Sequence, residues 1–392
     1  MSRIPLERDA LMAAAVQSAG LDDFGDLFFI EPLDVLLSAL TTEADLNDAA
    51  LKVRPMQLVN SLVNRLRTED YIKRHPEILD EEILVDAVIV GLPRTGSTML
   101  HRLLAADPGN TAMQMWEGGQ PAPWPEEDLG TAKELGNPIG RQKMGEKTAA
   151  YINQSSPGFG SIHDVNAYSP EEEILLLEHC FMSSVPESGF YIPSYTDYLK
   201  GADHSRAYQD LKRFLQFLQW QRPERRGKKW VLKTPQHVPL VDVVLKTFPG
   251  AKIVMTHRDP VETVPSFCSM VAHYAGPWTN HLDEKAIGKL WADRLAWNLD
   301  QFMQQRDALG EAHFIDTDYR KTITDPLGVA RDLYAQLGRT VTASGAAQMK
   351  EHAAANKKNK HGKHHYTAAQ FGLSDSGIAD QFAAYRGRYI KG

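Results

Sequence analysis

Only two cysteines, Cys180 and Cys268, occur in 392 residues, and neither stands in a CxxC or a Cys/His pattern with zinc spacing. That excludes a disulfide framework and a zinc module, and it makes a reducing compartment, the cytoplasm, the expected setting. Long apolar runs are absent. Stretches such as Ala87–Val90 or Ile174–Leu177 fall far below the roughly 18–20 residues that span a bilayer. The start, Met1 to Asp9, is charged where a signal peptide would place its apolar stretch, so neither secretion nor membrane insertion is expected. A basic excess is missing too. The formal net charge of −7 argues against bulk electrostatic binding to nucleic acid or an anionic membrane, so any anion site must be local. What is present is ordinary for a folded chain: 43% hydrophobic and 24% charged residues, enough for one large domain or two unequal ones.

From Leu6 to about Pro76 the apolar residues recur at helical spacing (Leu33, Leu36, Leu37, Leu40; then Leu58, Leu62, Val63, Leu66), which predicts several helices and no strand. Leu84 to Gly91 changes character. It is a short β-branched apolar run ending in glycine, followed by hydroxyls and a helical Met99 to Leu104: strand, loop, helix. Further strands are predicted at Lys229–Leu232, Ala251–Thr256 and His313–Asp316, followed by helices from Pro235 to Phe248, near Val261, and from Pro326 to Leu337. Buried strands alternating with helices mean a parallel sheet covered on both faces. The stretch from Gly118 to Gly160, rich in glycine and proline, reads as a long excursion over that sheet, of the kind that often carries substrate contacts. From Lys350 to His365 five lysines stand against one glutamate, a local balance of +4 in an acidic protein.

Gly91-Leu92-Pro93-Arg94-Thr95-Gly96-Ser97-Thr98 matches the Walker A frame GxxxxGK[ST] at every fixed position except the lysine, where Ser97 stands. A glycine-rich turn between a buried strand and a helix N-terminus aims backbone N–H groups at one spot and so suits a phosphate. A P-loop NTPase needs the missing lysine on the β- and γ-phosphates; here the cation is Arg94, which argues against ATP hydrolysis. A second anion element lies at the predicted end of Ile253–His257, where Arg258 is followed eight residues on by Ser266. Strand C-terminal ends are where open α/β sheets bind ligands, and an arginine fork beside a hydroxyl can clamp a phosphate.

Together these elements resemble the sulfotransferases that use 3′-phosphoadenosine 5′-phosphosulfate (PAPS). The family's Pro-[Lys/Arg]-Ser-Gly-Thr-Thr loop is matched by Pro93-Arg94-Thr95-Gly96-Ser97-Thr98, and its Arg/Ser pair by Arg258 and Ser266. Its Leu-Lys-Thr-His-Leu-Pro-Leu element is similar to Leu232-Lys233-Thr234-Pro235-Gln236-His237-Val238-Pro239-Leu240, with two extra residues before the histidine. Tyr319, seven residues before Pro326, resembles the family's adenine-contacting tyrosine, with Arg320 and Lys321 replacing the acidic pair. Lys360-His361-Gly362-Lys363-His364-His365-Tyr366 resembles the C-terminal element of bacterial members.

The resemblance implies a P-loop-like three-layer α/β fold, with a central parallel sheet flanked by helices. It divides the chain into an N-terminal helical extension (1–84) and a sulfotransferase domain (85–392). It implies PAPS as co-substrate, held by Arg94, Thr95, Gly96, Ser97 and Thr98 at the 5′-phosphosulfate, by Arg258 and Ser266 at the 3′-phosphate, and by Tyr319, Lys360 and His361. Arg94 and Lys233 would stabilise the leaving phosphate. The base is His237 or Glu117; an imidazole, with an unperturbed pKa near ~6.5, suits proton abstraction at neutral pH. No metal is required. Glu171-Glu172-Glu173 reads mainly as a helix start, although acidic groups near the site could also position an acceptor. The expected partner is a small-molecule hydroxyl or amine acceptor, without nucleic acid. The N-terminal helices could cover the acceptor site or build a homo-oligomer. The rival readings are a P-loop kinase or NTPase and a non-catalytic nucleotide-binding relative.

Overall fold

In the computed structural model, which describes residues 4–127, 137–155, 165–355 and 366–390, the chain opens on three helices: α1 (Arg8–Ala19), α2 (Ile30–Thr42) and α3 (Asp48–Arg74). Their sequences bury one stripe each. In α2 that stripe is Leu33, Leu36, Leu37 and Leu40, and in α3 it is Leu58, Leu62 and Leu66, the spacing that puts apolar groups on one helical face. Arg65 of α3 is buried among them and donates to Asp210 at 2.8 Å and to the carbonyls of Phe24 and Asp26, so its charge is both paired and hydrogen-bonded.

The strands that follow are β1 (Ala87–Val90), β2 (Asn110–Thr111), β3 (Lys229–Lys233), β4 (Lys252–His257) and β5 (Phe314–Asp318). They pair in parallel in the order β2-β3-β1-β4-β5. Alternation splits them between two cores. Val88, Val90, Leu232, Ile253 and Met255 face the core that also holds the N-terminal helices, while Ala87, Ile89, Val231, Val254 and Ile315 face the other. The helix α4 (Ser97–Ala105) and the helix Pro326–Gln336 cover this second face. A central parallel sheet between helical layers is thus observed, and the 1–84 segment shares a core with one of its faces.

Three details differ from expectation. Pro235–Leu240 winds as a 3₁₀ turn, and only Val241–Thr247 is α-helical, because Pro239 supplies no N–H to an α-helical ladder. The Gly118–Gly160 stretch, part of which lies outside the described residues, contains a helix at Ile139–Ser155 beyond its proline-rich beginning. The two-residue strand β2 was not expected; it carries too short a pattern to read.

Candidate active site

The chain leaves β1 toward β2 on one side and leaves β4 toward β5 on the other, so the loops after β1 and β4 flank the point where the winding reverses. The Gly91–Thr98 loop occupies it. Gly91 has φ +153°, and a Cβ there would come within 2.2 Å of Thr256 Oγ1; Gly96, at φ +84°, lies against the ring of Tyr319, with 3.0 Å left for a Cβ. Only glycine fits such positions. Thr95 Oγ1 closes the turn, donating to the Leu92 carbonyl at 2.7 Å and lying 2.7 Å from Thr256 Oγ1. Arg94 holds a left-handed φ of 72°, a conformation that costs a side-chain-bearing residue about 1–2 kcal/mol. Backbone strain of this kind gathers at functional sites.

The loop gathers three cations from three strands. Arg94 Nε donates to Ser266 Oγ at 3.3 Å, and Arg258 Nη1, from the end of β4, donates to the Arg94 carbonyl at 2.8 Å. The Arg258 guanidinium lies 4.1 Å from the centroid of Tyr319, the first residue after β5. Lys233, the last residue of β3 and almost fully buried, donates through Nζ to Thr98 Oγ1 at 3.1 Å. A lysine from the neighbouring strand therefore reaches the loop that lacks its own. Burial lowers the pKa of Arg94, and Arg258 adds to the effect, but an arginine keeps its charge. Ser97 opens α4 with its backbone at the N-terminal end, where unpaired N–H groups and the helix dipole favour an anion.

The expected bases fare differently. His237 is wholly buried between Tyr208 Oη, 2.6 Å from its Nδ1, and Glu173 Oε1, 2.5 Å from its Nε2. The tautomer this network supports has Nδ1 accepting from the tyrosine and Nε2–H donating to the carboxylate. Glu173 Oε2 in turn accepts the Lys233 backbone N–H at 2.9 Å, so His237 braces the strand end that carries the lysine. Glu117 is buried under the helix it caps: Oε2 accepts from Arg225 at 2.7 Å and from the Gln114 N–H at 2.8 Å, and Oε1 pairs with Arg222 at 3.3 Å. Burial pushes this carboxyl up, but the two arginines outweigh it and hold it below the ordinary value. Neither His237 nor Glu117, the two bases expected from the sequence, is among the residues that line the cavity beside the loop.

Glu172 does line it. Its carboxylate is ion-paired with Lys233, partly exposed, and so beside the loop hydroxyls. The three consecutive glutamates part ways: Glu171 faces Arg102 at 4.0 Å, Glu172 meets Lys233, and Glu173 meets His237. The cavity, about 260 Å³, runs from Pro93, Arg94, Ser97 and Thr98 along apolar walls that include Ile174, Leu175, Phe267, Met270 and Trp291. Of the remaining expected residues, Lys360 and His361 lie outside the described residues.

A family model described as "Sulfotransferase family" matches residues 86–343. The chain belongs to the sulfotransferase family. The sulfotransferase STF1 from Mycobacterium tuberculosis H37Rv is 32% identical and superposes with a TM-score of 0.83, covering 98% of this chain and all of that one. STF9 from Mycobacterium avium, 24% identical, shares the fold at a TM-score of 0.83 over 100% of this chain and 99% of its own. Curated relatives named omega-hydroxy-beta-dihydromenaquinone-9 sulfotransferase Stf3, from Mycobacterium bovis and Mycobacterium tuberculosis, are 27% identical over 64% of this chain. The match spans 62% of the length of those relatives. Among the described residues of this sulfotransferase-family chain, no helix is long and apolar enough to cross a membrane.

Proposed function

We propose that this protein transfers a sulfuryl group from PAPS to a hydroxyl of an apolar small molecule. The observation that carries the donor is the clasp of Arg94, Arg258 and Ser266. PAPS bears its 5′-phosphosulfate and its 3′-phosphate on one ribose, so its two anion sites must be neighbours. The 3.3 Å contact between Arg94 and Ser266 and the 2.8 Å contact between Arg258 and the Arg94 carbonyl support that reading, because they set the two groups side by side. The residues present fit the donor: loop N–H groups and Thr98 for the 5′ end, Arg258 and Ser266 for the 3′-phosphate, and Tyr319 for the flat base.

Glu172 is the base this geometry favours. It is the carboxylate that both borders the acceptor cavity and touches the loop cation. Glu172 takes the acceptor hydroxyl proton as the oxygen attacks sulfur; Arg94 and Lys233 stabilise the charge that gathers on the departing phosphate. His237 is a positioning residue that holds Glu173, and through it the end of β3. The apolar walls favour an acceptor whose hydroxyl sits on a hydrocarbon body. A hydroxylated acceptor is also what the name of the Stf3 relatives states for them. Incubation with ³⁵S-labelled PAPS and a panel of alcohols tests the reading: labelled sulfate ester is expected. A protein that binds PAPS and yields no sulfate ester with any alcohol would overturn it.

A further inference from the structure

The cavity beside the loop is apolar along most of its wall, yet it holds a polar patch in which several buried atoms lack a hydrogen-bond partner. Glu187, on the short helix Val185–Gly189, is 1% exposed, and neither of its carboxyl oxygens makes a hydrogen bond. Its Oε1 stands 3.5 Å from Arg294 Nε, an ion pair too long to be a good hydrogen bond. Arg294 is 5% exposed and leaves Nη1 unpartnered, and Asn298, at 7%, leaves Oδ1 unpartnered. Arg294 and Asn298 lie one turn apart on the helix Glu284–Leu309, and both face the cavity together with Glu187. The guanidinium is held in place by the Trp297 ring, 5.1 Å from its centre. By contrast, Gln236 at this cavity donates to the Met182 carbonyl and accepts from the Ser184 N–H, and Thr98 and Glu172 are held by Lys233 behind the wall.

Buried polar atoms are almost always satisfied, and a group of three residues left open toward a cavity is complementary to something that enters it. The chemistry narrows what that is. Arg294 Nη1 needs an acceptor; Asn298 Oδ1 needs a donor. A carboxylate supplies no donor and meets Glu187; an ammonium supplies no acceptor and meets Arg294; a methyl supplies neither. A hydroxyl or a primary carboxamide supplies both. Burial raises the Glu187 carboxyl more than Arg294 and the neighbouring Thr196 hydroxyl lower it, which agrees with a neutral guest.

We infer that the acceptor carries two polar groups on one apolar body: the hydroxyl that receives the sulfuryl group at the Gly91–Thr98 loop, and a second neutral donor–acceptor group, a hydroxyl or carboxamide, bound by Glu187, Arg294 and Asn298. This rests on the sulfotransferase reading for the first group alone; the second is a matter of binding. A site built to hydrogen-bond a polar group rejects the analogue that lacks it, whereas a plain apolar pocket prefers the more apolar ligand.

The test is a calorimetric titration of the whole protein with α,ω-alkanediols, from butanediol to dodecanediol, and with the 1-alkanol of each length. One diol is expected to bind at least about tenfold tighter than its matched alkanol. Asn298→Leu is expected to cancel that preference while leaving alkanol affinity within about threefold. An alkanol that binds as well as every diol, or binding of neither class, overturns the inference, and the wild-type comparison stands even if the variant does not fold. Failure of labelled PAPS to give a sulfate ester would instead refute the transfer reading and would leave this binding comparison as it is.

Discussion

Replacing Glu172, the proposed base, by glutamine separates proton abstraction from scaffolding. The amide keeps an oxygen for Lys233 and the same shape, and the carboxylate it replaces is partly exposed, so stability is expected to fall by no more than about 1–2 kcal/mol. The lost function is proton abstraction. A positioned general base contributes about 10²–10⁴-fold, which corresponds to about 2.7–5.4 kcal/mol of activation free energy. Transfer of label from ³⁵S-PAPS to an alcohol, under saturating substrates, should therefore show kcat down by at least about 100-fold. Affinity for 3′,5′-adenosine bisphosphate should stay within a few-fold of wild type. His237→Ala makes the contrast. It strands Tyr208 Oη and Glu173 Oε1 in the interior, at about 1–3 kcal/mol for each unpaired group, so about 2–6 kcal/mol of stability should go. Its melting temperature should fall clearly, and its main effect should be on folding. A Glu172→Gln enzyme with kcat within threefold of wild type, beside a His237→Ala enzyme of unchanged melting temperature and no turnover, would refute the assignment and return the base to His237.

Arg258→Ala should weaken 3′,5′-adenosine bisphosphate by about 10–150-fold, the worth of charge-assisted hydrogen bonds, and AMP by far less; equal losses in calorimetry would remove the 3′-phosphate from this residue. Gly96→Ala puts a side chain at φ +84° against Tyr319 and should cost bisphosphate affinity together with stability, read by titration and thermal melting; unchanged affinity would mean that the loop does not hold the nucleotide. His101 and His179 are fully buried, and burial holds both down to about 4, against an ordinary value near 6.5. Between those values the unfolded chain binds the extra protons, so stability is whole above about pH 6.5 and is lost as pH falls toward 4, by about 3 kcal/mol for each histidine. Denaturant midpoints that rise or stay level over that acid range would contradict their burial.

The β1 strand, its loop and α4 were legible because their signals are local: a β-branched run, two glycines at positions where a Cβ would collide, and hydroxyls at a helix start. Arg258 and Ser266 were legible for a related reason, since a strand end followed by a helix fixes where both must point. Lys233 could be placed at the end of β3, but that its Nζ reaches Thr98 of the loop follows from strand order, which pairing across the sheet decides. The base we propose was hidden. His237 has the residue type and the place for it, and only the packing of Tyr208 and Glu173 against it shows that both ring nitrogens are spent. Glu172 stood in plain view between two other glutamates, but neighbours on a chain turn to different sides, and no spacing tells which one meets the loop. The patch of Glu187, Arg294 and Asn298 joins segments about a hundred residues apart, and only Arg294 and Asn298 carried a helical spacing that could have linked them.

The central claim is that the Gly91–Thr98 loop, with Arg258 and Ser266, forms a site for a nucleotide bearing a 3′-phosphate. Calorimetric titration of the wild-type protein with 3′,5′-adenosine bisphosphate, and separately with ATP plus Mg²⁺, tests it most directly. Tight one-to-one binding of the bisphosphate and weak binding of Mg·ATP are expected. Tighter binding of Mg·ATP than of the bisphosphate would contradict it and point to a P-loop kinase or NTPase instead.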